Sequence, residues 1–276
     1  MNYRHQFHAG NFADLVKHVA LLAALQALTR PGAAPLTVID THAGAGLYDL
    51  NGEAARKSGE AEAGIARLAA QAKVAPALHA LKAAVAKANP KGGLRWYPGS
   101  PLLAARALRR GDSLVACELR AEDGQALQTA LGPAKAGLQV VVGDGFETAP
   151  RRLPAKGPAL LLIDPPYERP DDYTRIAPCL RAMLARNPAL TALVWTPLKD
   201  LETFDRLLRG LEALNPPPTL VVETRLRPLS DPLRMNGCAL VIVQPAEGVE
   251  IAADAASRWV VEALGEAGGE ARAWWL

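Results

Sequence analysis

The chain has 276 residues, of which 50% are hydrophobic and 21% charged, the balance of a soluble globular protein of one large domain or two. Its net charge is only +3 with a pI near 8.8, so binding to nucleic acid depends on whether the basic residues cluster. Three dispersed cysteines exclude a disulfide framework, and neither a secretory signal nor a membrane-spanning run is present. We therefore expect a cytoplasmic protein with no membrane partner.

The first predicted element is a helix. Apolar residues recur at helical spacing in "NFADLVKHVALLAALQALTR", with Asn11 suited to cap its start and Pro31-Gly32 to end it. "LTVID" (36–40) then predicts a short buried strand and "THAGAG" the turn after it.

An Ala-, Glu- and Lys-rich segment, residues 53–89, interrupts the strands that follow. It predicts two short helices, "GEAEAGIARLAAQAK" and "APALHALKAAVAKAN". We interpret residues 47–92 as a helical insertion subdomain between the first and second strands of a single domain spanning residues 1–276.

Six more strands are predicted downstream, and helix-length segments such as 172–185 and 200–214 separate most of them. The strands are 113–118, 138–144, 159–164, 189–196, 219–226 and 238–244. Alternating strands and helices favour an open, mostly parallel α/β sheet, here of seven strands. The last two strands are too close for a crossover helix, which predicts an antiparallel hairpin at the sheet edge.

Acidic residues follow four of the predicted strands, at the sheet edge where α/β proteins bind ligands. After the first strand, "DTHAGAG" places Asp40, Gly44 and Gly46 in a D-x-x-x-G-x-G pattern. Such glycines allow the backbone to approach a ligand closely, although an isolated glycine pair is also typical of a simple tight turn.

The second and third strands end in residues suited to an adenosine. Glu118 can accept hydrogen bonds from both ribose hydroxyls, and its alternative is a solvated charge at a strand end. Asp144 can accept from an adenine amino group while Gly145 leaves room for the ring, with a type I′ or II′ turn as the competing interpretation. Together these residues predict a pocket for an adenosine moiety without a pyrophosphate.

The fourth acid opens the sequence "DPPY" (164–167). The two prolines hold the backbone extended, so that the Asp164 carboxylate and the Pro165 carbonyl form two fixed acceptors. Such a pair suits the NH₂ group of an aromatic amine, and Tyr167 can stack on the base that carries it. A plain Pro-Pro turn does not explain the acid and the aromatic residue together.

These motifs carry a family resemblance. "DTHAGAG" followed by "DPPY" resembles S-adenosylmethionine-dependent amino-methyltransferases that act on adenine N6. With "YRHQFHAGNFADLVKH" (3–18) and "WYPGSP" (96–101), the chain is similar over nearly its whole length to bacterial methyltransferases that modify N6 of adenine 2030 in 23S ribosomal RNA. The resemblance implies a Rossmann-like class I methyltransferase fold, S-adenosylmethionine as cofactor and 23S ribosomal RNA, protein-free or early precursor, as substrate of a monomer.

The resemblance also implies the roles of individual residues. Asp164 is the catalytic acceptor and also touches the cofactor. The other implied cofactor contacts are His18, His42, Ser100, Glu118, Asp144 and Gly145, and the implied substrate contacts are Tyr3, Pro165 and Tyr167. From the residues alone, Ser100 before Pro101 is also typical of a helix N-cap, and His18 of a hydrogen-bonded interior histidine.

Three alternatives share part of this pattern. A DNA adenine-N6 methyltransferase has the same two motifs, and glutamine-N5 methyltransferases of proteins resemble this chain with Asn in place of Asp164. The third is a catalytically silent RNA-binding protein on the same fold. The histidines match no familiar ligand spacing, so no metal is expected.

Overall fold

The computed structural model describes residues 5–133, 137–169, 171–230 and 234–276. An eight-stranded sheet lies at the centre, and two further short strands form a separate ribbon. In chain order the strands are β1 (Thr37–Asp40), β2 (Leu47–Asp49), β3 (Trp96–Pro98), β4 (Ser113–Glu118), β5 (Leu138–Val142), β6 (Ala159–Ile163), β7 (Leu190–Leu198), β8 (Thr219–Arg225), β9 (Gly237–Val243) and β10 (Glu270–Trp275).

A short 3₁₀ turn covers His5–Phe7, and the remaining helices are α-helical. They are α1 (Phe12–Leu28), α2 (Glu53–Ser58), α3 (Glu60–Ala63), α4 (Ile65–Ala70), α5 (Pro76–Ala88), α6 (Ser100–Ala107), α7 (Ala121–Leu131), α8 (Gly145–Arg152), α9 (Asp172–Arg186), α10 (Leu201–Glu212) and α11 (Val249–Leu264).

The sheet has the strand order β10-β8-β9-β7-β6-β1-β4-β5. Strands β5, β4, β1, β6 and β7 are parallel to one another, whereas β9 is antiparallel to both β7 and β8. The predicted α/β fold with a mostly parallel sheet and an antiparallel hairpin is therefore confirmed. The chain runs outward from β1 to β5 and then returns to the other side of β1, which makes the β1–β6 boundary the topological switch point.

The number of strands and the position of the hairpin were predicted incorrectly. An eighth strand, β10, pairs antiparallel with β8 and covers the edge that the hairpin was expected to occupy. This strand was not predicted because charged residues interrupt the apolar alternation of "EARAWW". In the structure its residues are exposed or half-buried, which an edge strand allows.

Apolar strands hold helices against both faces of the sheet. In β6, Leu160 and Leu162 pack into a core with α1, α5, α6 and α11, while Leu161 and Ile163 face a second core with α8, α9 and α10. This alternation is the period-2 geometry of a strand, and burial on both faces accounts for the unbroken apolar run "ALLLI".

The start of α1 follows the predicted capping. The Asn11 side chain accepts a hydrogen bond from the Asp14 backbone N–H at 2.9 Å. The helix ends at Leu28, shortly before Pro31-Gly32.

Four helices, rather than two, lie in the segment that we propose to be an insertion subdomain. The sequence predicted as its first helix is divided at Gly64, where a Cβ atom would collide with the carbonyl oxygen of Gly10. Ile65 N–H donates to that same oxygen at 2.8 Å. The close approach of two backbones thus ends α3 and begins α4.

Candidate active site

The candidate site is a cavity at the carboxyl ends of β1, β4 and β6, beside the switch point. Seven of the residues proposed from the sequence line it: His18, His42, Ser100, Glu118, Asp144, Gly145 and Asp164. Side chains from α1 and α9 close it from the sides, among them Lys17 and Arg175.

The glycine-rich turn after β1 has the backbone that its glycines predicted. Gly44 and Gly46 have φ angles of +62° and +77°, which other residues adopt only with strain. A Cβ atom at Gly44 would also collide with the Tyr48 hydroxyl, which accepts a hydrogen bond from Ala45 N–H at 3.1 Å. The turn is therefore held in one shape at the wall of the cavity.

Asp40 and Ser100 form a buried pair below this turn. Ser100 Oγ donates to Asp40 Oδ2 at 2.7 Å, and His42 N–H donates to Asp40 Oδ1 at 3.2 Å. Burial raises the pKa of Asp40 to about 6 despite these hydrogen bonds. The N-cap of α6 is Gly99, so the alternative interpretation of Ser100 as an ordinary cap was wrong.

The carboxylate of Glu118 lies at the end of β4, buried but in the cavity lining. It accepts from Gly44 N–H at 2.9 Å and from Arg120 N–H at 2.8 Å. Burial raises its pKa. A carboxylate can accept about four hydrogen bonds, so these N–H groups fix Glu118 in place and leave it able to accept from a ligand.

Asp144 begins a helix rather than a hairpin turn. Its Oδ1 caps α8 by accepting from Phe146 N–H at 2.9 Å, and its Oδ2 pairs with Arg175 at 2.8 Å. Burial favours a higher pKa, but the arginine and the backbone donors outweigh it and lower the pKa. The carboxylate is thus already engaged on both oxygens.

Gly145 is required for a different reason from the one predicted. A Cβ atom there would collide with the backbone of Thr41, so the glycine allows α8 to start directly against the turn after β1. Because Gly145 has no side chain, the start of α8 and the turn after β1 can lie in direct contact at the cavity.

The His42 ring lies between the turn and α8. It contacts Phe146 edge-on with the ring centroids 5.0 Å apart, and Nδ1 is 2.7 Å from Thr41 Oγ1. Burial lowers the pKa of His42 to about 3, so the imidazole is neutral.

Asp164 meets a buried lysine that the motif did not predict. Lys17 Nζ lies 2.5 Å from Asp164 Oδ2 and 2.7 Å from Asp14 Oδ1. Burial alone would lower the pKa of Lys17, but the two carboxylates hold it well above its usual value. Asp14 also accepts from Gly10 N–H at 2.8 Å and lies 3.1 Å from His5 Nε2. The ammonium therefore stays charged and holds the Asp164 carboxylate by one oxygen.

His18 lies one residue beyond Lys17 and is 1% exposed. Its Nδ1 is 2.7 Å from the Tyr97 hydroxyl, and the two rings stack. Burial lowers the pKa of His18 to about 3. Its Nε2 is buried without a hydrogen-bond partner in the described part of the chain, although His18 lines the cavity. A neutral, unsatisfied nitrogen at a cavity wall indicates a site for a polar ligand atom.

None of the three proposed substrate contacts is among the described residues that line the cavity. Tyr3 lies outside the described residues. Tyr167 has a φ of +53°, packs against Tyr173 with ring centroids 4.4 Å apart, and donates its hydroxyl to the Trp195 carbonyl. Among the described residues of "DPPY", Asp164 and Pro166 line the cavity, and Pro165 and Tyr167 do not.

Comparison with known proteins identifies the family. The model described as "RsmJ: Ribosomal RNA large subunit methyltransferase D, RlmJ" matches residues 33–276. The chain is 34% identical over 278 residues to ribosomal RNA large subunit methyltransferase J of Escherichia coli K12, covering 100% of this chain and 99% of the relative.

The chain belongs to the RlmJ family of ribosomal RNA large subunit methyltransferases.

Two further similarities agree with membership in the RlmJ family. The relative of the same name from Haemophilus influenzae is 34% identical over 247 residues, covering 89% of this chain and 87% of the relative. A crystal structure of a Legionella pneumophila protein superposes with a TM-score of 0.84 at 27% identity, covering 97% of this chain and 98% of the other.

Membership in the RlmJ family confirms the enzyme class predicted from the motifs, a methyltransferase of 23S ribosomal RNA that acts on adenine and uses S-adenosylmethionine. The fold is the Rossmann-like fold of class I methyltransferases. The cavity fits this cofactor, because it combines a fixed glycine turn, the Glu118 carboxylate and the unsatisfied His18 Nε2.

The sequence motifs did not predict the charged side chains that surround Asp164 and Asp144. A signal for the first set was present, because Asp14, Lys17 and His18 stand at i, i+3 and i+4 within an otherwise apolar helix. Such a polar stripe on a buried helix indicates a site rather than a core. Arg169 and Arg175, beside Asp144, had no comparable signal.

Residues 5–133, 137–169, 171–230 and 234–276 contain no group of three or more His, Cys, Asp or Glu side chains arranged to hold a metal ion. No helix in the same ranges is long and apolar enough to cross a membrane.

Proposed function

We propose that this protein methylates N6 of adenine 2030 in 23S ribosomal RNA, with Asp164 as the residue that binds the N6 amino group. The observation that carries the proposal is the Asp164 carboxylate, held by Lys17 at one oxygen beside a cavity that fits S-adenosylmethionine. When bound, S-adenosylmethionine supplies a methyl group on a positively charged sulfur.

The chain's own residues prepare the amine. Lys17 occupies Asp164 Oδ2, and the described residues form no hydrogen bond with Oδ1. Oδ1 can accept from one N6–H and the Pro165 carbonyl from the other, which favours a tetrahedral nitrogen with its lone pair directed at the methyl carbon. As the new C–N bond forms and the S–C bond breaks, N6 loses one proton, which Asp164 Oδ1 takes up.

We assign the cofactor contacts to the cavity lining. Glu118 accepts from the ribose hydroxyls, and His18 donates from Nε2 when the Tyr97 hydroxyl donates to Nδ1. His42, Ser100, Asp144 and Gly145 complete the lining, and we propose that Asp144 contacts the adenine end. Tyr167 in the structure packs into the protein, so we propose that stacking on the target base requires its ring to move.

A base paired inside a helix cannot reach this cavity, so the target must be unpaired or flipped, which costs a few kcal/mol. We therefore propose protein-free or early precursor 23S RNA as the substrate of a monomeric enzyme, in the cytoplasm where ribosomal RNA is made.

The direct test is transfer of labelled methyl from S-adenosylmethionine to protein-free 23S RNA, to assembled large subunits and to duplex DNA. We expect label on the free RNA, recovered as N6-methyladenine at position 2030. Label confined to duplex DNA, or RNA binding without transfer, would replace this proposal with one of the two alternatives.

A further inference from the structure

The chain's net charge is confined to one segment. The insertion, residues 47–92, contains seven of the 31 Lys and Arg residues but only four of the 28 Asp and Glu residues, a net charge of +3. The remaining residues contain 24 of each kind and are neutral overall. A basic segment on a balanced protein indicates a surface for a polyanion.

The basic residues of the insertion are not neutralised by neighbours. Arg56, Lys57, Lys87 and Lys91 are exposed, and none forms a salt bridge with another described residue. Some arginines elsewhere on the surface are paired one helical turn away, as Arg206 is with Glu202 and Arg209 with Asp205. The unpaired charges of the insertion are therefore available to a partner.

The β2–β3 ribbon brings Arg56 and Arg95 close to the same carboxylate. Arg95 precedes β3, binds Asp49 of β2 at 2.9 Å and lies over the Trp96 ring at 4.8 Å from its centroid. Arg56 lies close enough to the same Asp49 to lower its pKa, after the larger effect of Arg95.

The buried Asn89 side chain holds the loop that carries Lys91. It donates to the carbonyls of Val85 and Trp96 and accepts from the N–H groups of Arg95 and Trp96, all at 2.8–2.9 Å. The loop between α5 and β3 is thus closed by side-chain hydrogen bonds. We call Arg56, Lys57, Lys87, Lys91 and Arg95 the basic ribbon surface.

A cleft connects this surface with the active site. Asp49, Gly52 and Lys57 of the insertion line it, together with Tyr48 of β2. His5 and Gly44 line it from outside the insertion. His5, Gly44 and Tyr48 also line the central cavity. A nucleic acid on the basic ribbon surface therefore lies beside the site that receives the base.

We propose that the basic ribbon surface binds the backbone phosphates of the RNA that flanks the target adenine, with the adenine reaching the cavity along this cleft. The inference rests on the proposed function. Phosphate contacts position a nucleic acid without reading its sequence, so this surface provides affinity and orientation while the cavity selects the base.

The test compares two triple variants. Arg56→Ala/Lys57→Ala/Lys91→Ala removes three of the five cations of the surface. Arg206→Ala/Arg209→Ala/Arg258→Ala removes three exposed, paired arginines elsewhere. Binding of 23S RNA is measured between 50 and 200 mM salt, together with KM and kcat for methyl transfer and the Kd of S-adenosylmethionine.

We expect the first variant to raise the Kd and KM for RNA at least tenfold and to reduce the slope of log Kd against log salt by about 2–3, because each lost phosphate contact removes about one unit. Its kcat at saturating RNA and its cofactor Kd stay unchanged, and the second variant behaves like the wild type. Equal effects of both variants, or no change in the salt slope of the first, would overturn the inference. If the wild type bound RNA through this surface but methylated none, the proposed function would fail and the surface would stand.

Discussion

Lys17 is the residue on which the geometry around Asp164 depends. It is 4% exposed and lies between two carboxylates, which hold its pKa well above the usual value despite burial. A buried ion pair adds little net stability, but removal of one partner leaves a costly unpaired charge. The arrangement therefore serves to hold Asp164 in place, and the paired charges offset the cost of burying the lysine.

The balance of charge around Lys17 predicts that a second substitution partly restores the stability lost when the lysine is removed. Lys17→Met should lower the free energy of unfolding by about 3–5 kcal/mol, because Asp14 then remains buried without its cation. Adding Asp14→Asn should recover a large part of that loss in urea denaturation, while methyl transfer stays low because Asp164 is no longer held. A double variant as unstable as Lys17→Met would show that charge is not the cause.

His18 provides a test in pH. Its pKa is about 3 in the folded chain and about 6.5 unfolded, so below pH 6.5 the unfolded state binds a proton that the folded state does not. Stability from this residue is complete above pH 6.5 and is lost as the pH falls towards 3. The wild type should lose up to about 1.4 kcal/mol per pH unit more than His18→Asn between pH 6 and 4, measured by urea unfolding. Parallel curves would contradict a neutral buried His18.

Among the helices and strands, those with a regular apolar pattern could be predicted from the sequence. Elements that depend on contacts between distant residues could not. Buried strands such as "ALLLI" and the capped helix α1 follow from local pattern. The break between α3 and α4 at Gly64 depends on the close approach of Gly10, 54 residues away in sequence. The strand β10 forms by pairing with the edge of β8. Contacts of this kind have no signal in a local pattern.

The two tryptophans of β10 allow a matched pair of substitutions, one at a packed position and one at an exposed position. Trp274 packs against the core below β8, whereas Trp275 is 51% exposed. Trp274→Ala should destabilise the protein by about 2–3 kcal/mol, from the loss of roughly half the apolar area that a tryptophan can bury. Trp275→Ala should change the unfolding free energy by less than about 1 kcal/mol. Equal effects in urea denaturation would show that β10 does not pack as described.

At the scale of the whole molecule, the topology brings distant motifs to one cavity. Parallel strands end at the same edge, so Glu118, Asp144 and Asp164 could be placed together from their positions after strands. Their exact partners could not, because Arg175 reaches Asp144 from α9 and Lys17 reaches Asp164 from α1. The sequence therefore predicted that these three acids lie at one site, and the structure adds which charges hold Asp144 and Asp164.

Binding of S-adenosylmethionine should stabilise the whole fold. At 100 times its Kd the cofactor should add about 2.7 kcal/mol and raise the Tm by about 4–6 °C. Glu118→Gln should reduce this shift at the same concentration, because a neutral amide replaces the proposed ribose acceptor. Glu122→Gln, on the neighbouring helix α7, is the control and should retain the full shift.

The role of Asp164 is decided by the turnover of Asp164→Asn on protein-free 23S RNA, measured together with the Kd of its cofactor. The amide keeps the shape of the side chain but cannot take up the N6 proton, so we expect kcat to fall by about 10²–10⁴-fold. The cofactor Kd should stay within a few-fold of the wild type. A kcat near that of the wild type would contradict the role of Asp164 as the acceptor for N6.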